Sequence, residues 1–134
     1  MGGEQPDSYA LAPFYKSAMA VVYVFDLTSL DSLTALTGWH HRVNEHCDST
    51  KVVSTLLGTK RDLKYLREVD QERVKEQKEA LNAQHYAEVS ALEERGGVEE
   101  AMVELISSVS QELVFGYRRP IRLHKEPSVH SSCI

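Results

Sequence analysis

Two stretches of this chain, Ala20-Val21-Val22-Tyr23-Val24-Phe25 and Val52-Val53-Ser54-Thr55-Leu56-Leu57, show no steady alternation of apolar and polar residues. A strand with one wet face alternates. A continuous run predicts cover on both faces, as in a parallel sheet layered between helices. The first run ends at Asp26 and the second at Gly58-Thr59-Lys60-Arg61-Asp62. A shorter third run, His85-Tyr86-Ala87-Glu88-Val89, ends at Ser90-Ala91.

Helical patterns fall between and after the runs. Thr28, Ser29 and Asp31 are N-cap types ahead of a stripe of Leu33, Leu36, Val43 and either Trp39 or His40, reaching about Asn44. Phe14-Tyr15-Lys16-Ser17-Ala18 reads as a short helix before the first strand. Val69 or Asp70 opens a charged helix to about Asn82, and its thin apolar face of Val69, Val74 and Leu81 predicts a surface position. After Gly96-Gly97, the positions Val98, Ala101, Met102, Leu105, Ile106, Val109, Leu113 and Val114 follow the i, i+3, i+4, i+7 spacing of an amphipathic helix. Strand–helix alternation of this kind predicts βαβ units, and so an α/β fold with a parallel sheet. Right-handed crossovers then bring Asp26, Thr59 to Asp62 and Ser90-Ala91 to one edge of the sheet. That carboxyl edge is where open α/β sheets bind ligands.

The chemistry available there is specific. One carboxylate, such as that of Asp62, can accept two hydrogen bonds from the N1–H and N2–H₂ edge of a guanine, and the stem of Lys60 can lie along the base. Alone, four polar residues in a loop are usually a solvated turn, and Asp26 reads as a residue that ends its strand.

The combination narrows the choice. Phe25-Asp26-Leu27-Thr28, Trp39, Gly58-Thr59-Lys60-Arg61-Asp62-Leu63 and Val89-Ser90-Ala91, in this order, resemble a Ras-superfamily small GTPase, most like the Rab branch, over residues 1 to about 114. Leu11-Ala12-Pro13-Phe14-Tyr15 is similar to the segment after the family's second switch. The resemblance implies a Rossmann-like P-loop GTPase fold and GTP or GDP with Mg²⁺ as ligands. It also implies guanine contacts at Thr59, Lys60, Asp62, Ser90, Ala91 and Leu92. Asp62 would accept from guanine, Lys60 cover the base and ribose, Thr59 brace the loops, Ser90 orient Asp62, and the Ala91 N–H donate to guanine O6. Thr59 stands where Asn is commoner, and Leu92 where Lys is usual.

The family's opening part is not in this sequence, which has no Gly-x-x-x-x-Gly-Lys-Ser/Thr run to cradle phosphates. The resemblance therefore implies the carboxyl-terminal two-thirds of the domain, residues 1–115, followed by a basic tail, 116–134, expected to be disordered or extended. The sheet is expected to be incomplete, with three parallel strands, and the strand at 20–25 to be an unprotected apolar edge. Met1-Gly2-Gly3-Glu4-Gln5 resembles the end of the family's Asp-x-x-Gly motif. Gly3 then belongs to switch II, and Glu4 takes the slot of the water-orienting Gln. Met1 is expected to be internal to a longer reading frame, and the chain as written to lack GTPase activity. The function implied is a guanine-nucleotide switch in vesicle or intraflagellar transport that works through effectors or transport-complex subunits. The alternative is a non-catalytic interaction module derived from a GTPase.

Other classes fit less well. The net charge of −5 divides into about −8 on residues 1–115 and about +3 on the tail, and an acidic body argues against nucleic-acid binding. His40, His41, His46 and Cys47 lack an i, i+4 ligand pair. Serine catalysis would need a context such as Gly-x-Ser-x-Gly, which is absent. Cys47 and Cys133 are widely separated, which fits a reducing, cytoplasmic compartment better than a disulfide scaffold. Cys133 is second from the end, where prenylation of the Cys-a-a-X type needs Cys fourth from the end, so no lipid anchor is evident. An unlipidated Rab-like chain with Glu4 in the Gln slot is similar to the intraflagellar-transport subunits, with a ciliary or flagellar place.

Overall fold

The strands order themselves β1-β2-β3, all parallel: β1 (Ala20–Asp26), β2 (Val53–Thr59) and β3 (His85–Glu88). The structure is a computed structural model that describes residues 15, 18–47 and 52–118. Most of the short helix expected at Phe14–Ala18, the expected positions of switch II (Gly3) and of the water-orienting residue (Glu4), and the chain beyond 118 lie outside the described residues. Helices α1 (Leu30–Thr34) and α2 (Leu36–His46) follow β1, α3 (Gln71–Ala80) follows β2, and α4 (Val98–Arg118) follows β3. This is the α/β arrangement of three parallel strands with flanking helices.

In β2 the non-alternating sequence becomes two-sided burial, whereas β1, at the edge of the described sheet, buries Tyr23 and Phe25 but leaves Val24 49% exposed on its other face. Leu56 and Leu57 are 0% and 6% exposed, although they point to opposite faces of β2. Leu56 joins Tyr23, Phe25, Leu27, Leu33, Leu36, Val43, Val69, Val74 and Leu81 in the larger core, where α1, α2 and α3 pack. Leu57 joins Val89 and Ala101 in a smaller core beneath α4. Burying a Leu side chain contributes roughly 1.5–3 kcal/mol, so the central strand, covered on both sides, anchors the sheet.

Local chemistry sets the helix ends. The Ser29 side chain accepts from the Ser32 N–H, and Asp70 accepts from the Arg73 N–H at 2.8 Å. Helix α3 ends in a Schellman motif. Ala83 N–H reaches Lys78 O and Asn82 N–H reaches Glu79 O, both at 3.0 Å, with Asn82 at φ 52°.

Three details differ from the pattern. The helical stretch after Thr28 divides at Ala35, whose N–H bonds back to Asp31 O. Trp39 is 44% exposed and lies against Arg42, 5.2 Å from ring centroid to guanidinium. The inward stripe of α2 is Leu36, His40 and Val43, with the His40 Nδ1 3.0 Å from the Tyr23 hydroxyl. Along α4, Ala101 and Leu105 are buried whereas Ile106, Leu113 and Val114 are exposed, since the helix overhangs the three strands of the described residues. It continues through Gly116 to Arg118.

Candidate functional site

Parallel register brings the polar strand ends together. Asp26 pairs in register with Thr59, and Gly58 with Glu88. Gly58 allows close packing: a Cβ there would sit 3.0 Å from the Phe25 ring and 3.1 Å from Leu27, so those side chains would have to give. The loops after β1, β2 and β3 therefore converge on one edge.

Thr59 spans two of them. Its hydroxyl donates to Phe25 O at 2.9 Å, and its carbonyl accepts from Leu27 N–H at 3.1 Å. Lys60 follows in the left-handed region, φ 63°, where a residue with a Cβ costs roughly 1–2 kcal/mol. Such strain persists where the surroundings enforce it. Here the Lys60 ammonium meets Asp26 Oδ2 at 2.6 Å, and the Lys60 carbonyl accepts from Leu63 N–H at 3.0 Å. Asp26 Oδ1 accepts the Thr28 N–H and hydroxyl at 2.8 and 2.6 Å. Burial pushes the Asp26 carboxyl up, but the hydrogen bonds from Lys60 and Thr28 together hold it below its ordinary value. Asp26 thus ends its strand and also holds the lysine.

Asp62 and Ser90 meet across the two longer loops. The Ser90 hydroxyl donates to Asp62 Oδ1 at 2.7 Å and accepts from the Leu92 and Glu93 N–H groups, both at 3.3 Å. Ser90 is 1% exposed, while Leu92 is 84% exposed. Ala91 sits between them on the exposed crest of the loop. The site residues expected from sequence, Thr59, Lys60, Asp62, Ser90, Ala91 and Leu92, lie in the loops at this edge, and two side-chain pairs form there, Asp26 with Lys60 and Asp62 with Ser90. Sequence reading missed the first pair. Its signal was present: both residues follow apolar runs that end on the same edge.

A second network backs the site. Arg67 holds Glu88 through two nitrogens at 3.0 and 2.7 Å, and Tyr86 and Gln71 donate to Glu88 at 2.6 and 2.9 Å. The Arg67 hydrogen bond outweighs burial and keeps the Glu88 carboxyl below its ordinary range, with Tyr86 acting in the same direction. A carboxyl lowered on folding stabilises the protein above its unfolded value of about 4.3. That contribution disappears as pH falls through the lower folded value. Glu88→Gln is therefore expected to reduce the urea midpoint at pH 7 and to flatten its decline between about pH 5 and pH 3. Acid limbs of equal steepness in the two proteins would show that Glu88 carries no such linkage.

Two other constellations are structural. His85 Nε2 lies 2.7 Å from Ser108 Oγ and its Nδ1 3.1 Å from Glu104, in the order of a serine triad. Ser108 sits mid-helix in α4, where its own N–H is spent in the ladder and cannot serve as an oxyanion donor. The group ties β3 to α4. Among the described residues, no three His, Cys, Asp or Glu side chains gather as a metal-binding group, and no helix is long and apolar enough to cross a membrane.

The residues present suit a purine base: an oriented carboxylate, a lysine stem and a loop amide. No Gly-x-x-x-x-Gly-Lys-Ser/Thr run that would form a phosphate nest lies among the described residues.

Comparison with known proteins gives a consistent picture. The sequence model of the Ras family matches residues 3–111. The Ras-related protein Rab-30 of Homo sapiens is 36% identical over 92 residues, covering 69% of this chain and 44% of that protein. The Ras-related protein RABA4e of Arabidopsis thaliana is 36% identical over 86 residues, covering 63% of this chain and 47% of that protein. The chain thus spans less than half the length of these curated relatives.

Proposed function

The chain belongs to the Ras family, as a Rab-like small GTPase, and from that membership we propose that its Thr59–Asp62 and Ser90–Ala91 loops are the guanine-reading part of a nucleotide site. Asp62 accepts from guanine N1–H and N2–H₂. Ser90 holds Asp62 in position, Thr59 braces the loops, Lys60 covers the base, and the Ala91 N–H donates to O6. Leu92, where the family usually has Lys, weakens the packing on the sugar. The observation that carries the reading is the 2.7 Å bond from Ser90 to Asp62, which aims a carboxylate from one loop with a hydroxyl from another.

In a protein that also holds phosphates and Mg²⁺, such a site serves a switch in vesicle or intraflagellar transport, read by effectors or transport-complex subunits. Gly3 then belongs to switch II and Glu4 occupies the water-orienting position. Residues 1–115 form the GTPase-derived domain and 116–134 a basic tail, in a cytoplasmic or ciliary setting.

A titration of the full chain with GDP and ADP, with and without Mg²⁺, tests this. Base contacts alone predict guanine-selective binding with a Kd on the order of 1 mM that Mg²⁺ leaves unchanged. Equal binding of GDP and ADP would overturn the reading. It would favour the second one, an interaction module, which rests on β1 being an edge strand among the described residues. There Val24 is 49% exposed beside an apolar groove of about 270 Å³ that includes Val22, Leu36 and Trp39.

A further inference from the structure

We propose that Arg61, the free position of the Thr-Lys-Arg-Asp loop, is a positioning residue that sets the spacing between the two base-reading loops and thereby the selectivity for guanine. The inference rests on the guanine-site reading above and concerns a residue that touches no part of the base. A purine is rigid, so its N1–N2 edge and its O6 lie at a fixed separation. Asp62 on one loop and the Ala91 N–H on the other can satisfy both only if the loops keep a matching separation.

Arg61 ties them at four points. Its backbone N–H donates to Val89 O at 3.1 Å. Its Nη1 donates to Glu88 O at 3.1 Å, at the start of the second loop. Its Nη2 donates to Glu93 Oε2 at 2.8 Å and to Arg95 O at 3.4 Å, at the far end of that loop. The Ser90 N–H closes the loop onto Gly96 O at 2.9 Å. The guanidinium thus grips both ends of the segment whose crest presents Ala91, while the Asp62–Ser90 bond links the loops near that crest.

The geometry needs a planar fork. A guanidinium directs several N–H groups along fixed divergent lines, whereas a lysine ammonium is a single centre that cannot reach three acceptors spread over residues 88 to 95. A purely structural tether would change stability and leave base preference as it was. A spacing device would change the preference itself.

The test is the ratio of affinities for GDP, IDP and ADP in the full chain, followed by NMR titration. IDP lacks the amino group read by Asp62, and ADP lacks the O6 read by Ala91. Arg61→Lys is expected to lower both the GDP:IDP and the GDP:ADP ratios by about tenfold, the equivalent of one good hydrogen bond. Glu93→Ala removes one exposed leg of the grip and should lower them by about threefold, with the thermal midpoint little changed. If the wild-type chain does not prefer GDP, the guanine reading fails and this inference falls with it. If the wild type prefers GDP and both variants keep its ratios, the inference alone is overturned. Should Arg61→Lys fail to fold, the Glu93→Ala ratios decide.

Discussion

Gly96→Ala is expected to destabilise the chain by at least about 3 kcal/mol and to break up the loop that carries Ser90 and Ala91. A Cβ at residue 96 would lie 1.6 Å from the Ser90 carbonyl oxygen and 2.7 Å from its carbon. Both are backbone atoms, so no side-chain rotation relieves the overlap. Gly96 is buried, and its own carbonyl holds the Ser90 N–H at 2.9 Å. The loop must therefore open, and in opening it releases the Ser90 hydroxyl from Asp62. Two measurements follow from the one change. The urea midpoint should fall, and the Ser90 amide should lose its protection from hydrogen exchange more than the amides of β2 do. A Gly96→Ala protein with the wild-type midpoint and a protected Ser90 would mean that the loop takes another path.

That glycine shows where sequence reading stops. Gly96-Gly97 reads as a break before α4, and it is one, with Gly97 at φ +84°. Nothing in a run of two glycines says which of them lies beneath a carbonyl six residues earlier. The same limit applies to Arg61, whose acceptors at residues 88, 93 and 95 depend on the register of β2 against β3. Apolar runs and their polar ends are one-dimensional signals, and they sufficed to place three parallel strands and to bring Asp26, Asp62 and Ser90 to one edge. Side-chain partners at that edge are set by register and loop path, which no single stretch encodes.

The helices make the same point through geometry. Leu33, Leu36, Val43, Val74 and Leu81 are all buried, as their spacing requires. Trp39 is equally apolar but lies one residue off the Leu36–His40–Val43 line, about 100° around the helix from His40. It faces solvent and Arg42 instead. On α4 the periodic stripe is longer than the sheet is wide, so Ile106 and Leu113 extend past what three strands can cover. A stripe reports which face is apolar; how much of it is buried depends on what lies opposite.

Asp62→Asn should turn a guanine site into a xanthine site. Ionised aspartate only accepts, which suits the two donors of guanine, N1–H and N2–H₂. Asparagine offers one acceptor and one donor. Its NH₂ would face the guanine amino group, donor against donor, leaving at least one hydrogen bond unmade. Xanthine carries a carbonyl in place of that amino group, so its N1–H and O2 match the asparagine oxygen and NH₂. The orienting bond survives the exchange, because the new side chain's amide oxygen can accept from the Ser90 hydroxyl, which in the wild type lies 2.7 Å from Asp62 Oδ1. Hydrogen bonds to a charged group contribute about 1.5–3 kcal/mol each. Losing one and gaining its counterpart should shift the XDP:GDP affinity ratio by roughly 10²-fold or more. A competition titration measures that ratio even where each affinity is weak. A ratio that stays at the wild-type value would remove Asp62 from the base edge, and with it the reason for Ser90 to hold that carboxylate.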